Sequence, residues 1–179
     1  NDIYLLDATT GLTTTLITAS EDLDAMAWNS TGTGLSALRG DKPAGMKHRN
    51  NVLLAWSGIG AGTPKPFTYD PTKEAAFPKG FVLSEYTAPR WSNDGSRFFI
   101  GIKEQETEIA AADSNKANVD IWHWKDEQAQ SVQIQQVAQL RRATLPAVIF
   151  VSNNKFVQLG DDDMRSVTMV ANNNIGIGR

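Results

Sequence analysis

The side chains able to do chemistry are few and scattered along the chain. His48 and His123 are the only histidines, and a triad or a metal site would need carboxylates at matched spacing around them. Neither has that frame, so ordinary structural or surface roles are the simpler reading. Asp161, Asp162 and Asp163 form an acidic run of the oxygen type that Ca²⁺ prefers. A calcium loop interleaves its ligands and turns at a glycine, whereas this run does neither, and a solvated turn is expected. Ser36 lies in "GTGLSALRG" (32–40) without the strand–elbow–helix setting of a nucleophile, and no G-x-S-x-G occurs in the chain. Arg141 and Arg142 could clamp an anion, but capping a helix C-terminus is the default role for such a pair.

Three further features read more simply as structure. Trp122 and Trp124 alternate in "DIWHW" (120–124) and so face opposite sides of a strand. Packing between sheets is favoured over lining a ligand groove for both, and for Trp56 as well. Arg39-Gly40-Asp41 spells an adhesion tripeptide too short to carry weight, and it is expected in a loop leaving a strand. Asn29-Ser30-Thr31 is formally a glycosylation sequon, placed in a tight turn. No catalytic, cofactor-binding or metal-binding residue is therefore assigned.

Composition narrows the classes. A chain of 179 residues with 41% hydrophobic and 21% charged residues can bury a core as a single domain. A net charge of −3 with dispersed Lys and Arg provides no basic stripe for nucleic acid. No run of about 18 apolar residues occurs, so no membrane-spanning helix is expected. Cysteine is absent, which removes disulfides and thiolate chemistry. The chain opens at "NDIYLLD" without a signal-type segment and closes at "NNNIGIGR" inside a strand pattern, and it is expected to be a piece of a longer polypeptide.

The elements that would position any site are short strands. Apolar, β-branched segments bounded by Gly, Asn, Asp, Ser or Pro recur at 3–6, 13–18, 23–28, 34–38, 50–58, 81–91, 97–103, 120–124, 147–160 and 166–178. "NNVLLAWSG" (50–58) is continuously apolar, as for a strand buried on both faces. Four prolines in 64–78 leave room only for a short strand at 65–69. The run 104–118 reads as an exposed loop. One helix is expected, an insertion near 126–143, with Val132, Gln136 and Leu140 at helical spacing.

A repeat organises these strands. "DAMAWNSTGTGLSALRG" (24–40) and "TAPRWSNDGSRFFIGI" (87–102) each place a Trp, a small polar residue, turn residues and a Gly ahead of an apolar run. "VTMVANNNIGIG" (167–178) is a degenerate third copy, and "DIYLLDATTG" (2–11) is echoed by "DIWHWKDEQ" (120–128). Several short strands per repeat are the signature of radial β-architecture. The expectation is all-β: a partial β-propeller of about two complete blades with partial blades at both ends, a single fragment over 1–179. Trp28 and Trp91 should fill the space between blades, and Gly32 and Gly95 should supply the positive φ of each turn.

"APRWSNDGSRFFIGI" resembles the hairpin of TolB-like propellers and of the propellers of the prolyl oligopeptidase family. "NVDIWHWKDEQAQSVQ" with "NNKFVQLGDDD" is similar to large bacterial members of that family. The resemblance implies a non-catalytic propeller that gates or docks peptides for a C-terminal serine hydrolase domain absent from this chain, in an exported protein, periplasmic or secreted. A TolB-like protein-binding module without activity is the alternative. No cofactor is implied. Taken by itself, the fragment is expected to self-associate through its open ends.

Overall fold

The computed structural model describes residues 1–108, 130–170 and 174–179. The fold is mostly β, in several antiparallel sheets, none of them closed. Strands β1 (Asp2–Leu6) and β2 (Thr13–Thr18) form a two-stranded pair. Strands β3 (Leu23–Trp28), β4 (Gly34–Asp41), β5 (Asn50–Ser57) and β6 (Lys65–Tyr69) follow as a meander in sequence order. The next sheet opens with an interrupted strand, β7 (Phe81–Leu83) and β8 (Arg90–Trp91), both paired to β9 (Arg97–Glu104). Strands β10 (Leu145–Phe150) and β11 (Phe156–Gln158) complete it. Helix α1 (Gln130–Arg141) precedes β10, and β12 (Val167–Met169) pairs with β13 (Gly176–Gly178) at the end.

The first two copies of the repeated motif fold into the same turn. Asn29 N donates to Gly34 O at 2.8 Å and Ser92 N to Arg97 O at 2.9 Å, while Gly32 N and Gly95 N donate back to Asn29 O and Ser92 O. Gly32 and Gly95 have φ of +70° and +69°, a conformation that a Cβ penalises. The third copy keeps the closure, with Val170 N donating to Ile175 O at 2.9 Å, and puts Met169 where the other two have Trp. Side chains lock the turns differently. Asn29 Oδ1 accepts from Thr33 N and Gly34 N, whereas Ser92 Oγ accepts from Arg97 N.

Sheet β3–β6 is apolar on both faces because another layer lies on each. Leu38, Leu53, Ala55 and Tyr69 face the β7–β11 sheet and share a core with Trp91, Phe98, Ile100, Ile102, Ile149 and Phe156. Leu35, Ala37, Leu54 and Trp56 point the other way, against Ile3, Leu5, Leu16 and Ile17 of the β1–β2 pair. This alternation is the physical reason for the unbroken apolar run in β5. Two equivalent cross-strand rows result: Trp28–Leu35–Trp56–Pro66 in one sheet and Trp91–Phe98–Ile149–Phe156 in the next. Polar ties also cross between the two sheets. Asn51 Nδ2 donates to Leu83 O at 2.8 Å, and Ser36 Oγ donates to Pro89 O at 3.4 Å.

Two expectations are corrected. Trp91 is buried at 7% exposure, but Trp28 is 53% exposed, because β1–β2 covers Leu35, Trp56 and the Leu23 end of β3 without reaching Trp28. Arg39-Gly40-Asp41 is not a loop. It forms the last three residues of β4, and a Cβ on Gly40 would sit 2.1 Å from Asn50 O. Helix α1 forms within the expected insertion, with Val132, Ile134 and Leu140 exposed on it. The strand at 120–124 and its echo of 2–11 lie outside the described residues.

Trp91→Ala should cost about 3–5 kcal/mol in denaturant unfolding, as for other large core truncations. Gly40→Ala should cost about 1–3 kcal/mol by overpacking, because the nearest obstacle is backbone of β5 that is itself held by the ladder. Urea titrations followed by far-UV circular dichroism check both.

Candidate functional site

One buried corner gathers ionisable side chains, where the β4–β5 connection meets the β7–β8 connection and the chain leaving β9. Gln105 clamps the first of these to the last. His48 N donates to its Oε1 at 3.0 Å, and its Nε2 donates to His48 O at 2.9 Å. Lys47 N donates to Glu106 O and Glu108 N to Gly45 O, around the Met46–Thr107 bridge. Lys42–Glu108 and Lys47–Glu106 ion pairs flank this seam. The imidazole of His48 is thereby carried into the interior at 4% exposure.

Inside the corner, His48 Nδ1 lies 4.0 Å from Glu85 Oε1, and the ring meets Tyr86 edge-on at 5.8 Å. Neither ring nitrogen, nor Glu85 Oε2, has a hydrogen-bond partner among the described residues. Burial is the dominant influence and holds the imidazole below its ordinary pKa; Glu85 opposes it, Lys103 adds to it, Glu106 opposes and Lys47 adds. An imidazole beside a carboxylate can store a proton. A relay to a nucleophile also needs a hydrogen bond from the ring, and His48 makes none. A cavity of about 260 Å³ adjoins this corner, lined by Asn51, Asp70, Thr72, Phe81 and Gln105 among others. It falls below the roughly 300–1,000 Å³ of ligand sites.

The other residues singled out from the sequence are dispersed. Ser36 is fully buried and donates to Ala27 O and Pro89 O, so its hydroxyl ties two sheets together. The aspartate run is a solvated turn: Asp161 Oδ1 accepts from Asp163 N and Met164 N, and Asp162 pairs with Arg165 at 3.0 Å. Among the described residues no group of three His, Cys, Asp or Glu side chains is placed to hold a metal ion. Trp56 is core. Arg141 lies in the last turn of α1. Asn29 is spent on its own turn, which a glycan on its amide would disturb. His123, Trp122 and Trp124 lie outside the described residues.

The chain matches no family model, no curated protein and no solved structure.

Sequence reasoning weighed His48 but missed Glu85, Gln105 and Asn51. Gln105 and Asn51 sit in polar stretches at strand ends, and Glu85 lies between two half-strands. Only the interruption of β7 and β8 brings Glu85 under the β4–β5 connection. A second carboxylate, Asp94, is exposed in the turn after Trp91. Hydrogen bonds from Ser92 Oγ, then from Ser96 N and Oγ, lower its pKa to about 2.

The depressed His48 pKa fixes the sign of a pH effect. Below about pH 6.5, the ordinary imidazole value, the unfolded chain binds a proton that the folded chain resists, so stability falls as pH drops from there toward the folded-state pKa. His48→Leu should remove that limb from the plot of unfolding free energy against pH. Glu85→Gln should lower the His48 pKa further, read from the imidazole carbon-bound proton shift by NMR.

Proposed function

We propose that the chain is a segment of a β-propeller, with β3–β6 and β7–β11 as complete blades and β1–β2 and β12–β13 as partial ones. Its role is non-catalytic: it gates or docks peptides for the serine hydrolase domain of a prolyl oligopeptidase-like peptidase. The observation that carries the propeller reading is the recurrence of one unit. The same six-residue hairpin closes at 29–34 and 92–97, a matching backbone bond joins Val170 to Ile175, and the two four-position meanders carry equivalent cross-strand rows that start at Trp28 and Trp91. Radial stacking of four-stranded sheets is how propellers bury both faces of every blade.

The non-catalytic reading is supported by the chemistry of the described residues: the buried His48 ring makes no hydrogen bond to a hydroxyl, and Ser36 is a structural tie. The peptidase context rests on the resemblance of the Trp hairpin and of the 118–133 and 153–163 segments. A periplasmic or secreted location belongs to the same proposal.

The test is to identify the native polypeptide with an antibody against this segment and to treat it with a fluorophosphonate. The expected outcome is a band several times heavier than 19.5 kDa that takes the label, with a G-x-S-x-G downstream. A band at 19.5 kDa that takes no label would overturn the peptidase reading and leave a protein-binding propeller.

A further inference from the structure

The β4–β5 connection is weakly held, and a buried imidazole sits beneath it. None of residues 42–49 belongs to either apolar core. Its ties to the chain leaving β9 are Lys47 N donating to Glu106 O, Glu108 N donating to Gly45 O, and the two Gln105 side-chain bonds to the His48 backbone. The Lys42–Glu108 and Lys47–Glu106 ion pairs are one-third to one-half exposed and add little. Both ends of the segment are firm. Asp41 and Asn50 pair in the β4–β5 ladder, and Arg49 donates twice to Gly40 O, at 3.1 and 2.8 Å. A stretch with few buried apolar contacts between fixed ends belongs to the part of a fold that opens locally.

The imidazole decides when that happens. Neither ring nitrogen has a hydrogen-bond partner, and the nearby Glu85 Oε2 has none either. A neutral ring leaves one donor unpaired, whereas an imidazolium brings two donors and a charge into the same space. Glu85 Oε1 lies 4.0 Å from Nδ1, beyond hydrogen-bond reach. Burial is the strongest influence on the ring and opposes its charged form. Glu85 of the β7–β8 connection favours that form, Lys103 of β9 opposes it, Glu106 of the chain leaving β9 favours it, and Lys47 of the ring's own connection opposes it.

We infer that this corner is an acid-triggered latch: protonated His48 leaves its place beside Glu85 and Tyr86, and residues 42–48 swing away from the chain leaving β9 while the two large sheets stay folded. The open ring titrates near the ordinary value of about 6.5, and the closed ring below its ordinary value. Opening therefore takes up a proton and becomes easier as pH falls below about 6.5, until the closed ring itself titrates. Gln105 spends both ends of its amide on the His48 backbone and also lines the cavity of about 260 Å³. Release of the latch thus frees one wall of that cavity. The device is independent of the blade reading and of the peptidase context.

Native-state hydrogen exchange, corrected for the intrinsic effect of pH on exchange, reads the latch directly. Protection of the Lys47, His48 and Glu108 amides should fall about fivefold to tenfold between pH 7.5 and pH 5.5. That exchange should depend little on denaturant at either pH, while the Leu53–Trp56 amides exchange through a strongly denaturant-dependent opening. His48→Leu should give these three sites the same protection at both pH values. Glu85→Gln, which removes the nearest charge able to hold an imidazolium inside, should show a fall at least as large as the wild type's. Seam amides that share the denaturant dependence of Leu53–Trp56 would overturn the latch, because the corner would then open only when the whole molecule does. Seam protection that stays constant or rises in acid would overturn it too, since Glu85 would then be holding the charged ring in place. A pH-dependent fall that survives His48→Leu, or one that shrinks in Glu85→Gln, would likewise contradict it.

Discussion

A sheet with two apolar faces cannot stand alone in water, and the structure is arranged around that constraint. Strands β4 and β5 send Leu35, Ala37, Leu54 and Trp56 one way and Leu38, Leu53 and Ala55 the other. Each face must be removed from water, at about 25 cal/mol per Å² of apolar surface. The chain meets this by laying β7–β11 on one side and β1–β2 on the other. The same demand then passes outward, and the far face of each outer layer has to be shielded by other means.

Turns and side-chain ties set the spacing of that stack. The closures at 29–34 and 92–97 deliver Trp28 and Trp91 to equivalent ladder positions opposite Leu35 and Phe98, and Gly32 and Gly95 supply the left-handed residue each needs. Where β7 gives way to β8, Thr87 folds over Gly101 and shares a hydrogen bond of 2.9 Å with Thr144. That interruption lowers Glu85 into the corner beside His48. The outer face of the same sheet is shielded differently, by Arg90 stacked over Phe99 at 4.4 Å and Arg97 over Phe150 at 5.0 Å. Guanidinium groups there cover aromatic surface while keeping contact with water.

Much of the strand layout was legible in the sequence because its signals are local. Period-two patterning, Gly and Asn in turns, and the prolines that confine β6 to an edge all act within a few residues. The unbroken apolar run of β5 even announced two-sided burial. Trp28 was misread because its burial depends on a neighbouring layer, and hairpin chemistry alone does not specify that layer. Arg39-Gly40-Asp41 was misread as a loop because Gly and Asp usually end strands, whereas here the close approach of Asn50 backbone requires the glycine. The ionisable corner was only partly legible: His48 stood out as a rare residue, but its partners converge from segments about 37 and 57 residues away, a separation that no local pattern encodes.

The account depends most directly on sheets β3–β6 and β7–β11 being one cooperative body. Native-state hydrogen exchange of the Leu53–Trp56 and Phe98–Ile102 amides measures this. The account predicts that both groups exchange through the same global opening, with equal free energies and equal denaturant dependence. Two separate openings, with one sheet exchanging while the other stays protected, would contradict it.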